Sequence, residues 1–249
     1  MGRIEQNTDM ANVADTAVVT GSSSGIGLAL SRMLVKNGYE VFGFGRNFER
    51  AEAQEFCKEQ PEKFHAVVCD ITDTQALCAH IKEIDKNYRV TVLVNNAGVG
   101  YYGLHEELNP KKIQKMERTN LAAPMILTQQ LLRTLKKNRG TVLNISSVTA
   151  AQSNPHGCAY GATKAGLSGF AKSLFDEVRK YGVRVITIQP DMAKTDLYRN
   201  ADFCEGEEEA SYLLPEEVAE AAAFALAQRE GLVVTEITVK PQFHRIRRK

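Results

Sequence analysis

The chain has 249 residues, 43% hydrophobic and 24% charged, with a formal net charge of +1. That length admits one α/β domain or two small ones, and the near-neutral balance argues against a nucleic-acid or membrane partner. The five cysteines (Cys57, Cys69, Cys78, Cys158, Cys204) are odd in number and lack metal spacing, the pattern of free thiols in a reducing, cytoplasmic setting.

Residues 1–15 are polar without a signal-peptide core and read as a mobile leader. Thr16–Thr20 is a short apolar strand, and a glycine- and serine-rich loop, Gly21–Gly27, follows it. Ile26, Ala29, Leu30, Met33 and Leu34 then recur at helical spacing, and Asn37-Gly38 supplies a left-handed stop. Tyr39–Gly45, Phe64–Cys69 and Val90–Asn95 read as strands, separated by a polar helix from about Phe48 and a helix faced by Leu77, Ile81, Ile84 and Tyr88. Pro110 opens a long helix reaching about Lys137. Thr141–Ser146, Val183–Gln189 and Leu232–Val239 bring the strands to seven, with helices at Cys158–Tyr181 and Pro215–Gln228 between the last three.

The strands are apolar runs rather than alternating ones, so burial on both faces is expected. Regular alternation of strand and helix predicts a doubly wound parallel sheet: a single-domain Rossmann fold over residues 16–240. Residues 196–214 are acidic and read as a mobile lid, and 241–249 as a solvated basic tail. In such a sheet the carboxyl ends of the strands converge on one crevice. No metal site is expected, because His65, His80, His105, His156 and His244 lack paired spacing.

T-G-S-S-S-G-I-G follows a strand and opens a helix, the setting in which backbone amides can receive a pyrophosphate. Asn95-Asn96-Ala97-Gly98 adds a second turn of small residues. Tyr160 and Lys164 lie four apart at the start of a helix and share one face. A tyrosine titrates near ~10, and a close cation would lower that value. Ser147, thirteen residues earlier, can return over the loop to share a substrate oxygen. Ser146 is the poorer choice, because adjacent strand residues face opposite sides.

Thr20–Gly27, Asn95–Gly98, Asn120, Ser147 and Tyr160-x-x-x-Lys164 together resemble the short-chain dehydrogenase/reductase superfamily, in order and spacing, over about residues 16–239. The resemblance implies an enzyme that exchanges a hydride between NAD(P) and a small-molecule carbonyl/alcohol substrate. It implies Tyr160 as proton donor or acceptor, Lys164 as the group that lowers its pKa and holds the nicotinamide ribose, Ser147 on the substrate oxygen, and Asn120 holding a relay water. Pro124 gives the Asn120 carbonyl no amide four residues on, so it would be free for that water or would mark only a packing kink.

Cofactor contacts implied by the same resemblance are Gly21, Ser23, Ser24, Gly25, Ile26, Gly27, Asn96, Ala97, Gly98, Tyr160 and Lys164, with Asp70 and Ile71 at adenine and Pro190 and Thr195 at the carboxamide. Asp70 could instead cap the next helix. Asp191 stands where the family has glycine, and V-V-T-E-I-T-V departs from the common family ending, resembling members acting on small hydroxy acids or hydroxy amino acids. A 3-oxoacyl thioester is the other substrate class in view. Loss of Tyr160, Lys164 or Ser147 would mark a non-catalytic NAD(P)-binding sensor or regulatory module instead, and none is lost.

Gly45 leaves the acidic ribose position empty and Arg46 follows, so NADP(H) is expected over NAD(H), with NAD(H) possible. Tyr101, Tyr102, Ser153, Asn154, His156 and Met192 are expected around the substrate. The two long helices carry extra apolar residues, and a homodimer or homotetramer is expected through them.

Overall fold

The computed structural model describes residues 14–249. In chain order it runs β1 (Thr16–Thr20), α1 (Gly25–Lys36), β2 (Glu40–Gly45), α2 (Ala51–Glu59), β3 (Phe64–Val68), α3 (Thr74–Asn87) and β4 (Val90–Asn95). There follow α4 (Pro110–Glu117), a π-helical turn (Arg118–Ala122), α5 (Ala123–Asn138), β5 (Thr141–Ile145), α6 (Cys158–Val178) and β6 (Arg184–Pro190). β7 (Phe203–Glu205), α7 (Pro215–Leu226), β8 (Glu236–Val239) and β9 (Ile246–Arg248) complete it.

Seven strands form one sheet in the order β3-β2-β1-β4-β5-β6-β8, every pairing parallel. Adjacent residues of β1 explain its apolar run. Val19 packs with Leu30, Leu34 and Val218 on the α1/α7 side, and Val18 with Leu77, Leu127 and Ala171 on the α3/α5/α6 side. Strand order reverses between β1 and β4, and such a switch point opens a crevice at the strand ends.

Four expectations are corrected. β3 is an edge strand, and Val68 at its end is 65% exposed; an edge has no neighbour to cover it. β8 is shorter than expected and half-exposed, because β6 pairs only with Glu236–Val239. The long helix from Pro110 is two helices joined by the π turn, where the Ala123 amide donates to the Arg118 carbonyl five residues back; the widened turn ends where Pro124, without an N–H, enters. Of the apolar residues expected at an interface, Leu131, Leu167 and Leu174 are core, while Met125 is 38% exposed. The basic tail is exposed over 242–249, and within it β9 pairs antiparallel with β7 in a second small sheet.

Of the expected leader, residues 1–13 lie outside the described residues. Asp15 is tied down: its carbonyl accepts from the Glu40 amide at 3.0 Å and its carboxylate pairs with Arg89. No helix among the described residues is long and apolar enough to cross a membrane.

Candidate active site

The glycine loop has a steric logic. A Cβ on Gly27 would lie 2.0 Å from the Gly21 carbonyl oxygen, and one on Gly21 would lie 2.9 Å from the Ala97 Cα. Gly21 and Gly25 take φ of +69° and +52°, which glycine adopts freely. Ser24, the N-cap of α1, makes no side-chain capping bond, and the first turn carries no acidic residue. The first amides of α1 therefore face the crevice without an internal partner, a ready site for an anion. Ser23, Ser24, Gly25, Ile26 and Gly27 all line that crevice.

The Asn96–Gly98 turn is stapled to β1 by Thr20. The Thr20 hydroxyl accepts from the Asn96 and Ala97 amides, both at 3.0 Å, and the Asn96 side chain donates to the Thr20 carbonyl at 2.8 Å. Thr20 is thus a support residue that no spacing in the sequence singles out, because its partner is 76 residues away. Asn120, 1% exposed, sits in the π turn. Its side chain donates to the Val99 carbonyl at 2.9 Å and to Thr163 at 3.1 Å, and accepts from the Val99 amide at 2.9 Å. The side chain is committed to that clamp. The Asn120 carbonyl has no i+4 amide to accept from, because Pro124 lacks one.

Ser147 follows β5, and Tyr160 and Lys164 lie in the first turns of α6, so three side chains meet at one strand end. The Tyr160 phenol lies beside the Ser147 hydroxyl in the crevice wall; that hydroxyl accepts from the Thr149 amide at 3.2 Å and the Thr149 hydroxyl at 3.0 Å. Ser146 faces the other way, donating to the Lys164 carbonyl and sharing a hydrogen with Ser168. Burial pushes the Tyr160 pKa up to about 12, with the neighbouring Ser147 hydroxyl acting in the opposite sense. The depression expected from Lys164 is not among those influences. The Lys164 ammonium donates to the Ile145 carbonyl at 2.8 Å, and burial brings its own pKa down to about 8.

Just beyond β3, the Asp70 carboxylate accepts from the Thr72 amide and hydroxyl. Burial raises its pKa, but those bonds and the charges of Arg46 and Lys115 outweigh it and hold the carboxyl below its usual value. The cap of α3 is Asp73, which accepts from the Ala76 amide at 3.0 Å, so Asp70 is not that cap. Ile71 is buried in the α3/α5 core at the crevice edge. Lys115, from α4, lines the crevice with exposed Arg46. No local pattern marks it, because α4 and the end of β3 meet only in the fold.

Pro190 ends β6, and Thr195 lies so close to the glycine loop that a Cβ on Gly25 would be 3.1 Å from its methyl. Asp191 takes an ordinary backbone conformation; among the described residues only Arg139 and His156 combine a side chain with positive φ. Asp196 pairs with Arg50 across the crevice mouth. Among the residues expected around substrate, Tyr102 packs 5.7 Å from the Tyr160 ring and meets Tyr198 and Phe203 at 5.9 and 5.2 Å. Ser153 and Asn154 do not reach the crevice; they line a separate surface depression, and Asn154 is bonded to Gly157 within its own loop. His156 serves through its carbonyl, which accepts from the Gly103 amide at 2.8 Å.

A Rossmann crevice ending in a Ser-Tyr-Lys group defines a class of dinucleotide-dependent redox domains. The short chain dehydrogenase family profile matches residues 15–203. A serine 3-dehydrogenase of Agrobacterium fabrum (strain C58) is 37% identical over 186 residues, 74% of each chain. The 3-oxoacyl-[acyl-carrier-protein] reductase FabG of Rickettsia conorii is 34% identical over 233 residues, covering 90% of this chain and 93% of that one. Among solved structures, an alcohol dehydrogenase from Thermococcus sibiricus complexed with 5-hydroxy-NADP has a TM-score of 0.83 at 27% identity, covering 93% of this chain and 98% of that one. The chain belongs to the short-chain dehydrogenase/reductase family and is an oxidoreductase.

Proposed function

We propose that the chain interconverts a small carbonyl compound and its alcohol with NADP(H), through Ser147, Tyr160, Lys164 and Asn120. The observation that carries this reading is the meeting of Ser147, Tyr160 and buried Lys164 in the wall of one crevice that begins at the glycine loop. The bound reduced nicotinamide supplies the hydride. Tyr160, a phenol and so protonated at neutral pH, donates its proton to the carbonyl oxygen. Ser147 donates a hydrogen bond to the same oxygen as charge develops there. Lys164 would hold the ribose hydroxyls and return a proton to Tyr160. Asn120 contributes through its main-chain carbonyl, which can hold a relay water, while its side chain fixes the turn on Val99.

Gly21, Ser23, Ser24, Gly25, Ile26 and Gly27 would receive the pyrophosphate, Asn96, Ala97 and Gly98 the ribose-nicotinamide edge, and Pro190 and Thr195 the carboxamide. Arg46, with Lys115 as a second cation, supports NADP(H) over NAD(H). The NADP analogue in the Thermococcus sibiricus alcohol dehydrogenase agrees with that choice.

Two substrate classes stand beside each other in the relatives' names: a hydroxy amino acid and a 3-oxoacyl thioester. Tyr102, Tyr198 and Phe203 close the substrate end with rings in mutual contact, which favours the compact class. The test is absorbance change of the cofactor over a panel: ethyl acetoacetate, 2,3-butanedione and acetoacetyl-CoA with NADPH, and serine and 3-hydroxybutyrate with NADP+. Turnover of any panel compound that disappears in Tyr160→Phe supports the reading. Cofactor binding with no turnover across the panel would instead favour a non-catalytic sensor.

A further inference from the structure

We infer that the basic segment 245–249 is a positioning element for the substrate end of the crevice, acting through the acidic lid. β9 pairs with β7 in the register Phe203↔Arg248, Cys204↔Arg247 and Glu205↔Ile246. Arg245 pairs with Glu208 at 2.5 Å and Arg247 with Glu207 at 3.1 Å. Lys249 contributes twice. Its amide donates to the Asp202 carbonyl at 2.8 Å, and its ammonium donates to the Tyr198 carbonyl at 2.6 Å.

The contacts continue inward. Phe203 lies within β7 itself, and Tyr198 is the residue whose carbonyl Lys249 holds. Both rings pack on Tyr102, and Tyr102 packs on Tyr160, the proposed acid. The strap is therefore two ring contacts from the reacting phenol. β7 has three residues, and a strand that short does not hold an extended shape alone. Its pairing partner is β9; without it Asp202–Gly206 would lose their backbone bonds to Arg245 and Lys249. Other anchors of the lid include the Arg50–Asp196 pair, the Ala210 carbonyl accepting from the Phe243 amide at 2.9 Å, and the Met192 carbonyl accepting from the Leu213 amide at 2.7 Å.

The charges set how firmly the strap holds. These ion pairs are more than half exposed, so each contributes little and is screened by salt. The substrate-side wall is then a weakly latched element, sensitive to ionic strength, while the glycine loop at the other end of the crevice is independent of it. This inference rests on the proposed carbonyl chemistry for its kinetic readout only.

The test compares the full chain with Arg245→Glu/Arg247→Glu, and with that variant combined with Glu207→Lys/Glu208→Lys. Hydrogen exchange read at residues 203–206 should speed up by about tenfold in the first variant and recover in the combined one. KM for the fastest panel substrate should rise by at least about threefold, with kcat and NADPH affinity unchanged within about twofold. Unchanged exchange at 203–206 overturns the strap. Loss of NADPH affinity in step with the rise in KM overturns the positioning role, since it would reveal general unfolding. If the unmodified chain turns over no panel compound, the carbonyl reading falls, and the exchange data still decide the strap.

Discussion

The Lys164 ammonium donates a 2.8 Å hydrogen bond to the carbonyl of Ile145, the last residue of β5. The cation is thus held on the sheet rather than on the phenol, its Nζ lying 5.8 Å from the Tyr160 ring centre. Burial lowers its pKa to about 8, whereas in an unfolded chain it titrates near ~10.4. Between those values the unfolded chain binds more protons than the folded one. Stability from this group therefore rises with pH across that window. Tyr160, raised to about 12 by burial, acts oppositely, losing its contribution only above about pH 10. Lys164→Met removes the first effect. Its unfolding free energy relative to the unmodified chain should fall by about 2 kcal/mol between about pH 7.5 and 9.5. Urea unfolding of both proteins at both pH values measures this; a constant difference would mean Lys164 titrates as in water.

Tyr160→Phe removes the proposed proton donor and leaves the ring. It should lower kcat by at least ~10² with NADPH affinity unchanged. Stopped-flow rates together with a fluorescence titration of NADPH separate the two quantities. Near-normal turnover would remove Tyr160 from the mechanism.

Arg46→Ala should cut kcat/KM for NADPH by roughly ten- to a hundredfold and leave NADH nearly unaffected, the scale of a lost charge-assisted bond. Lys115→Ala should act in the same direction more weakly. The fuller switch, Gly45→Asp with Arg46→Ile, should favour NADH, but a Cβ on Gly45 would lie 3.0 Å from the Ser23 Cβ and 3.1 Å from the Phe48 ring. That crowding would lower activity with both cofactors. Steady-state constants for both coenzymes decide the preference, and equal values in the unmodified chain would sink it.

Gly27→Ala should destabilise the chain by at least about 2 kcal/mol, since the new carbon meets backbone that cannot yield. Gly98→Ala should cost less than about 1 kcal/mol, its Cβ lying 3.6 Å from the Lys164 Nζ, yet weaken NADPH binding by filling the crevice wall. Thermal melts with and without NADPH distinguish the two cases. Equal melting points for both variants would refute the steric argument.

Assembly is expected through α5 and α6, where Met125 is exposed and Ile126, Leu132, Phe170 and Phe175 are only partly covered. Light scattering at micromolar concentration should give a homodimer or homotetramer, and Met125→Lys with Phe170→Glu should shift it towards monomer. A monomeric unmodified chain would count against this surface.

Much of the architecture was written in local pattern. Apolar runs such as Thr16–Thr20 marked strands because both faces of β1 meet core, and the glycine loop and the Tyr160/Lys164 spacing marked the crevice because close neighbours in the chain set both. The rest depended on residues far apart. The edge exposure of β3 follows from strand order, which no residue of β3 encodes. The π turn at Asn120 needed both Pro124 and the side-chain clamp on Val99, 21 residues away. Lys164 was legible as a cation near Tyr160, but its hydrogen bond to Ile145 and the burial that shifts both pKa values exist only once α6 packs on β5. Lys115 beside Asp70 and β9 on β7 are the same kind of fact. Sequence period determines which face of an element is apolar, because that depends on bond geometry along the chain. Which charge or aromatic ring meets which is decided by packing between elements, where desolvation and distance fix the chemistry.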